Sequence, residues 1–246
     1  MDLEPTNGAA LDGAECGMVE ESSPFIQGTP DIPCEFNLIC KTFEVEFDNE
    51  LLKDEVTYTV DYHDDRIIIV PRSEYFNRSK EDEYISFIAS IVCSFFMFCK
   101  ADDVLEDDKM IRLFAQTFHQ IVSTSVYDEK PEKPMVGIPS SFQLFGKTIN
   151  IRPDFSMYKA NGAMGLAKPH ECEILLLPDN DLIPRSSADL FGTYLHEVVH
   201  LVFHAIGEDG LSANETTVNL LGCALAQVYM SAEYYDPEID VEEEGE

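Results

Sequence analysis

On either side of a proline-rich break, this chain carries the same order of strand and helix patterns, and that repetition restricts its fold more than any single motif. Before the break, Phe36–Phe47 alternates apolar and polar residues, most regularly over Thr42–Phe47, and Val56–Val60 and Arg66–Val70 add two β-branched runs. These predict three strands. Apolar residues then recur at helical spacing from Glu81 to Phe98 and from about Asp107 to Ser123, with a turn at Ala101–Val104 between them. The stretch Tyr127–Pro139 holds three prolines and clustered charge, and reads as a linker over residues 126–140. Beyond it, Phe142–Ile151, Ala163–Ala167 and Glu173–Pro178 predict three more strands. Ser186 or Ser187 is placed to cap a helix running to Gly207, and Ser212 to cap another to about Ser231. Both halves read βββαα. The expected fold is α+β, with two tandem units at residues 36–125 and 141–231.

Sliding the chain along itself supports the repeat. A displacement of 107 sets His170 on His63, Pro178 on Pro71, Val199 on Val92, Phe203 on Phe96 and Gln227 on Gln120. A displacement of 106 sets Lys147-Thr148 on Lys41-Thr42. The pattern is that of a tandem duplication.

One part of the second unit has no match in the first. His196-Glu197-Val-Val-His200 sets two imidazoles one helical turn apart with a carboxylate beside them, so both rings can converge on one tetrahedral Zn²⁺. Glu197 is then placed as the general base for a water whose pKa the metal lowers to about 7. The aligned residues of the first unit are Ala89, Ser90 and Cys93, and one thiol cannot hold a catalytic zinc. The site is expected to be single and C-terminal.

A catalytic zinc takes three protein ligands. Glu215, His204, Glu208 and Asp209 are open to the third place. Glu215 is favoured, because an antiparallel hairpin of helices would carry it back towards the metal. A competing reading makes Ser212-Ala-Asn-Glu215 a capping box, with the glutamate bonded to the cap residue's own backbone. His204 also reads as a helix-end histidine favoured by the helix dipole, and His170 as a turn residue beside a packing thiol at Cys172.

Charge and cysteine content bound the rest. The 246 residues hold 47 Asp and Glu against 16 Lys and Arg, a net charge of −31. Direct binding to nucleic acid or to anionic lipid is therefore not expected. Residues 1–40 carry eight acids and residues 232–246 eight more, with no Lys or Arg in either. The tails at 1–35 and 232–246 are expected to be disordered and solubilising. An acidic surface that mimics DNA and occupies a nucleic-acid-binding protein is the sharper alternative. Seven cysteines without a C-x-x-C suggest neither a disulfide framework nor a zinc ribbon, and with no long apolar run the expected setting is cytoplasmic.

Several of these residues carry a resemblance. Gly146-Lys-Thr-Ile-Asn-Ile151, the strand before Pro178, Tyr194-Leu-His-Glu-Val-Val-His200, Ala205-Ile-Gly207 and Glu215 leading into Leu220–Leu225 together resemble the small gluzincin-type peptidases of the ImmA/IrrE group, including their phage-encoded relatives. The likeness spans about residues 142–231. It implies a minigluzincin-like fold, zinc held by His196, His200 and Glu215, Glu197 as general base, and a protein or peptide substrate. Asn214-Glu215-x-x-x-Asn219 also resembles a motif whose last residue, an Asp in thermolysin-like enzymes, orients a zinc-binding histidine; Asn219 would give neutral, weaker support. For a donor to the developing oxyanion, Tyr194, Tyr229, His204 and Arg185 are the candidates. The expected function is a zinc-dependent peptidase, acting on a host or regulatory protein if phage-encoded. The alternative is a non-hydrolytic acidic binding protein, an inhibitor of a host factor or a DNA mimic, with a vestigial or structural zinc site.

Overall fold

The structure, a computed structural model, describes residues 28–54, 56–73, 77–105, 107–128 and 137–234. Most of the expected acidic tails, and residues 129–136 of the expected linker, lie outside the described residues. The first unit runs β1 (Glu35–Leu38), β2 (Lys41–Phe47), a 3₁₀ turn at Glu50–Asp54, β3 (Tyr58–Asp61), β4 (Arg66–Ile69), α1 (Lys80–Phe98), a short α2 (Asp102–Leu105) and α3 (Asp108–Ser123). The second runs β5 (Ser141–Leu144), β6 (Lys147–Pro153), α4 (Ser156–Asn161), β7 (Gly165–Lys168), β8 (Glu173–Leu176), α5 (Ser187–Ile206), a short α6 (Asp209–Ser212) and α7 (Glu215–Ser231). The fold is α+β, two four-stranded sheets each followed by helices.

Each unit thus has four strands where three were expected. The strands expected at Phe36–Phe47 and Phe142–Ile151 are tight hairpins. Their two-residue turns put both central residues at positive φ, +48° and +63° at Ile39 and Cys40, +46° and +76° at Phe145 and Gly146. That conformation matches the strand twist and closes a hairpin in two residues. The expected turn at Ala101–Val104 is instead largely the helical turn α2.

The sheets share one topology, β1-β2-β4-β3 and β5-β6-β8-β7. In both, the two central strands are parallel and the outer pairs antiparallel. Even the register repeats. Glu35 pairs with Glu44 as Ser141 pairs with Asn150, and Tyr58 with Ile69 as Gly165 with Leu176. Alternation turns one face of each hairpin to the core: Phe43 and Val45 of β2, and Ile149 and Ile151 of β6, turn inward while Thr42, Glu44, Thr148 and Asn150 do not.

Helix starts repeat as well. Ser79 caps α1 in a reciprocal box with Asp82, and Ser186 caps α5 with Asp189. Each box satisfies otherwise orphaned backbone N–H groups and contributes about 1 kcal/mol. Arg78 donates to the Asp82 carbonyl and the Ser86 hydroxyl, as Arg185 donates to the Asp189 carbonyl and the Thr193 hydroxyl.

The two units close each other. Glu233, just past α7, bridges Glu35 at the start of β1, and Val126, just past α3, bridges Ser141 at the start of β5. Gln227 Oε1 accepts from the Ile39 N–H at 3.0 Å, and Gln120 Oε1 from the Phe145 N–H at 3.4 Å. Each hairpin is therefore held by the other unit's last helix. Between the helices of the two units, Phe114 and Phe203 rings meet at 5.2 Å, Phe118 stacks on Tyr229, and the Tyr84 and Tyr229 hydroxyls hydrogen-bond. One hydrophobic core runs through both units without a break. No helix among the described residues is long and apolar enough to cross a membrane, and the six described cysteines are free.

Candidate functional site

The site is built where α7 packs closely on α5, the helix that lies against β7 and β8 of the second sheet. Gly222 of α7 makes the approach possible: a Cβ there would lie 2.9 Å from both the N and Cα of His196. Such contact leaves no room for any side chain, so α7 meets the α5 backbone directly at the first histidine. From there α7 runs back to its first residue, Glu215, opposite the second histidine.

His196 and His200 lie one turn apart on α5 with their Nε2 atoms 3.1 Å from each other. Glu215 Oε2 is 3.5 Å from His196 Nε2, and Oε1 is 3.6 Å from His200 Nε2. Zinc bonds of about 2.0–2.1 Å at tetrahedral angles put ligand atoms about 3.3–3.4 Å apart. The three separations match the edges of such a tetrahedron, and two imidazoles with a carboxylate are a donor set suited to Zn²⁺. Among the described residues this is the one group of three or more His, Cys, Asp or Glu that could hold a metal. His204, Glu208 and Asp209 stand outside it, and His204 Nδ1 lies 3.1 Å from Asp209 Oδ1.

The capping-box reading of Glu215 does not hold. Short α6 takes up Ser212, whose hydroxyl donates to the His200 carbonyl at 3.3 Å. Asn214 caps α7 instead, accepting from the Thr217 N–H, and Glu215 becomes the first helical residue with its side chain 74% exposed. At that exposure the carboxylate contributes little to packing and is free to serve a ligand.

Glu197 is buried, at 6% exposure, against β7. Its Oε2 accepts from the Ala167 N–H at 2.6 Å. Gly165 makes room for it, since a Cβ there would fall 2.5 Å from Glu197 Oε1. Burial pushes the Glu197 carboxyl up to about 7; the Ala167 bond opposes this and the nearby Glu215 charge adds to it. A carboxyl poised near neutrality is suited to taking and returning a proton. Burial also lowers the His196 pKa, with His200 adding to the shift and Glu215 opposing it, which keeps the ring neutral and able to act as a ligand.

These groups open into a cleft of about 810 Å³. Its walls include Met164 and Leu166 of the β7 region, Ala188 and Gly192 of α5, and Ala226 and Met230 of α7. None of the four expected oxyanion donors lines it. Tyr194 and Tyr229 are buried in the core, Arg185 is bonded at the start of α5, and His204 faces Asp209. Asn219 does line the cleft but hydrogen-bonds neither histidine, so the expected second-layer support is not made. Thr193 and Gln227 are cleft residues that sequence reasoning missed. The spacing of Thr193, three before His196, could have placed it on the same helical face.

The first unit has a smaller cleft at the matching place, about 100 Å³, lined by Tyr58, Ile85, Ala89, Arg112 and Gln116 among others. These stand where the second unit has Gly165, Gly192, His196, Asn219 and Cys223. Comparison with family models, curated proteins and solved structures finds no match to this chain.

Proposed function

We propose that this chain is a zinc-dependent peptidase of the gluzincin type, akin to the ImmA/IrrE group, with its site in the second unit. The observation that carries the reading is the triangle of His196, His200 and Glu215, whose donor atoms stand 3.1–3.6 Å apart beside a buried carboxylate in an open cleft. His196 and His200 would hold the ion through Nε2 and Glu215 through a carboxylate oxygen. A zinc bound there supplies a Lewis acid that polarises a peptide carbonyl and lowers the pKa of water. Glu197 accepts a proton from the attacking water and hands it to the leaving amine, a role that its raised pKa and its place against β7 suit. Among the described residues β7 pairs with β8 alone, so its outer edge, apart from the Ala167 N–H that Glu197 already holds, offers main-chain groups along which an extended substrate can lie.

The test is one preparation measured twice. Zinc content should approach one ion per chain, and a peptide library should be cleaved by the wild type but not by Glu197→Gln, with zinc kept in both. A correctly folded chain that takes up no zinc sinks the proposal.

A second reading, an acidic capture protein that a structural zinc holds together, is favoured by the absence of Tyr194, Tyr229, His204 and Arg185 from the cleft lining. It predicts that a captured partner survives intact by mass spectrometry and is held equally by wild type and Glu197→Gln. A DNA-mimic form of it predicts competition with DNA that weakens as salt rises.

A further inference from the structure

Arg185 is the last cationic side chain of the sequence. Residues 186–234, which include both helices of the metal group, hold six Asp and Glu and no Lys or Arg. A bound divalent ion would cancel two of those charges. Asp189, Glu197 and Glu215 are the charged side chains lining the cleft besides its two histidines. Nearby cations are already engaged: Arg185 donates to the Leu177 and Asp189 carbonyls, and Lys168 at the end of β7 pairs with Glu171 at 2.9 Å. The helices of the first unit differ, because Lys80, Lys109 and Arg112 interrupt their acids. Within the acidic surround, the cleft wall is apolar at Met164, Leu166, Ala188, Ala226 and Met230.

From this arrangement we infer that the cleft takes a cationic polypeptide, with an apolar side chain seated beside the metal group and Lys or Arg residues flanking it. A cleft with low-dielectric walls in a protein of net charge −31 focuses the negative field and gathers ligands of the opposite sign. An acidic peptide meets the same field as repulsion. Deposition of the apolar side chain against Ala226 and Met230 then supplies short-range affinity that salt does not screen. The inference rests on the peptidase reading for turnover, but binding can be measured without it.

Three peptides sharing one apolar centre, flanked by Lys, Ser or Glu, provide the probe. Their cleavage by the zinc-loaded full chain is compared at low and high salt, and their binding is measured on zinc-loaded Glu197→Gln. The Lys-flanked peptide should lead the Glu-flanked one by about tenfold or more at low salt, the lead shrinking as salt rises. Met230→Arg, at an exposed position on the cleft wall, should narrow it several-fold. Cleavage with no charge preference, or with the Glu-flanked peptide ahead, overturns the inference and leaves the peptidase reading standing. If no peptide is cleaved yet the Lys-flanked one binds Glu197→Gln selectively and Met230→Arg weakens it, the inference stands and the peptidase reading falls.

Discussion

The two units share strand order, register, helix caps and half-buried arginines, yet one holds a cleft of about 810 Å³ and the other one of about 100 Å³. Their difference lies in a handful of side chains. Where Gly165 leaves room for Glu197, the first unit has Tyr58, and Cys93 takes the position of His200. Where Glu215 reaches towards His196 and His200 at the cleft mouth, Asp108 is tied to Arg112 at 2.8 Å, and Arg112 takes the place of Asn219. Where Ala226 forms bare wall, His119 is buried and bonded to Thr29 at 3.0 Å. The first unit has not merely lost ligands; larger side chains occupy the space that a ligand would need. A scaffold of this shape permits a site, and a few small residues decide whether one is open.

Carrying first-unit residues into the second is the most direct way to break this contrast. Gly165→Tyr puts the Tyr58 side chain where Glu197 lies, and hydrolysis should fall by about 10³-fold, within the range that loss of a general base gives. Circular dichroism and peptide turnover check it; unchanged turnover would mean that the glycine does not define the site. Next in size is metal binding. Glu215→Gln should weaken zinc affinity at least tenfold, read by competition with a chelator, while thermal unfolding of the metal-free chain stays within about 0.5 kcal/mol, because the side chain is largely exposed.

The third test uses pH. Folding raises the Glu197 carboxyl from its ordinary value to about 7, so the protonated form is the one that the fold favours. Stability of the metal-free chain should therefore be full below about pH 4.5 and decline as pH rises through about 7, by up to about 3 kcal/mol. Ser90 stands at the matching place in the first unit and cannot titrate. Denaturant unfolding of wild type and Glu197→Gln across that window should show the decline in the first and its loss in the second. An equal decline in both would assign it elsewhere. The smallest effect concerns what the units share: Ser79→Ala and Ser186→Ala should each cost about 1 kcal/mol, since both remove the same capping box. Markedly unequal costs would mean that the two helix starts are less alike than their geometry.

Much of this was legible in the sequence. Displacements of 106 and 107 are those of the strands and helices, and the change from one to the other falls between β2 and β3 or β6 and β7, where a 3₁₀ turn in one unit faces α4 in the other. Long periodic helices and the paired histidines were visible because their signals are local. The extra strands were not. A two-residue turn at Ile39-Cys40 has none of the Asn or Gly that usually betrays positive φ, and cross-unit bonds from Gln227 and Gln120 support the hairpins. Helix α7 is capped by Asn214 and not by Ser212 because α6 intervenes, a turn too short to leave a period. The oxyanion candidates failed for a related reason: Tyr194 and Tyr229 face the inter-unit core, a surface that exists only once both halves are assembled.

The exchange of edges at Glu35–Glu233 and Val126–Ser141 gives the molecule the reciprocity of a two-fold dimer, in which each half does for the other what is done for it. A covalent connection through residues 129–136 is then not what holds the halves in place. Chains severed within that stretch should find one another and rebuild the site in solution, whereas the second half made alone would expose the starting strand of its sheet and half of its core.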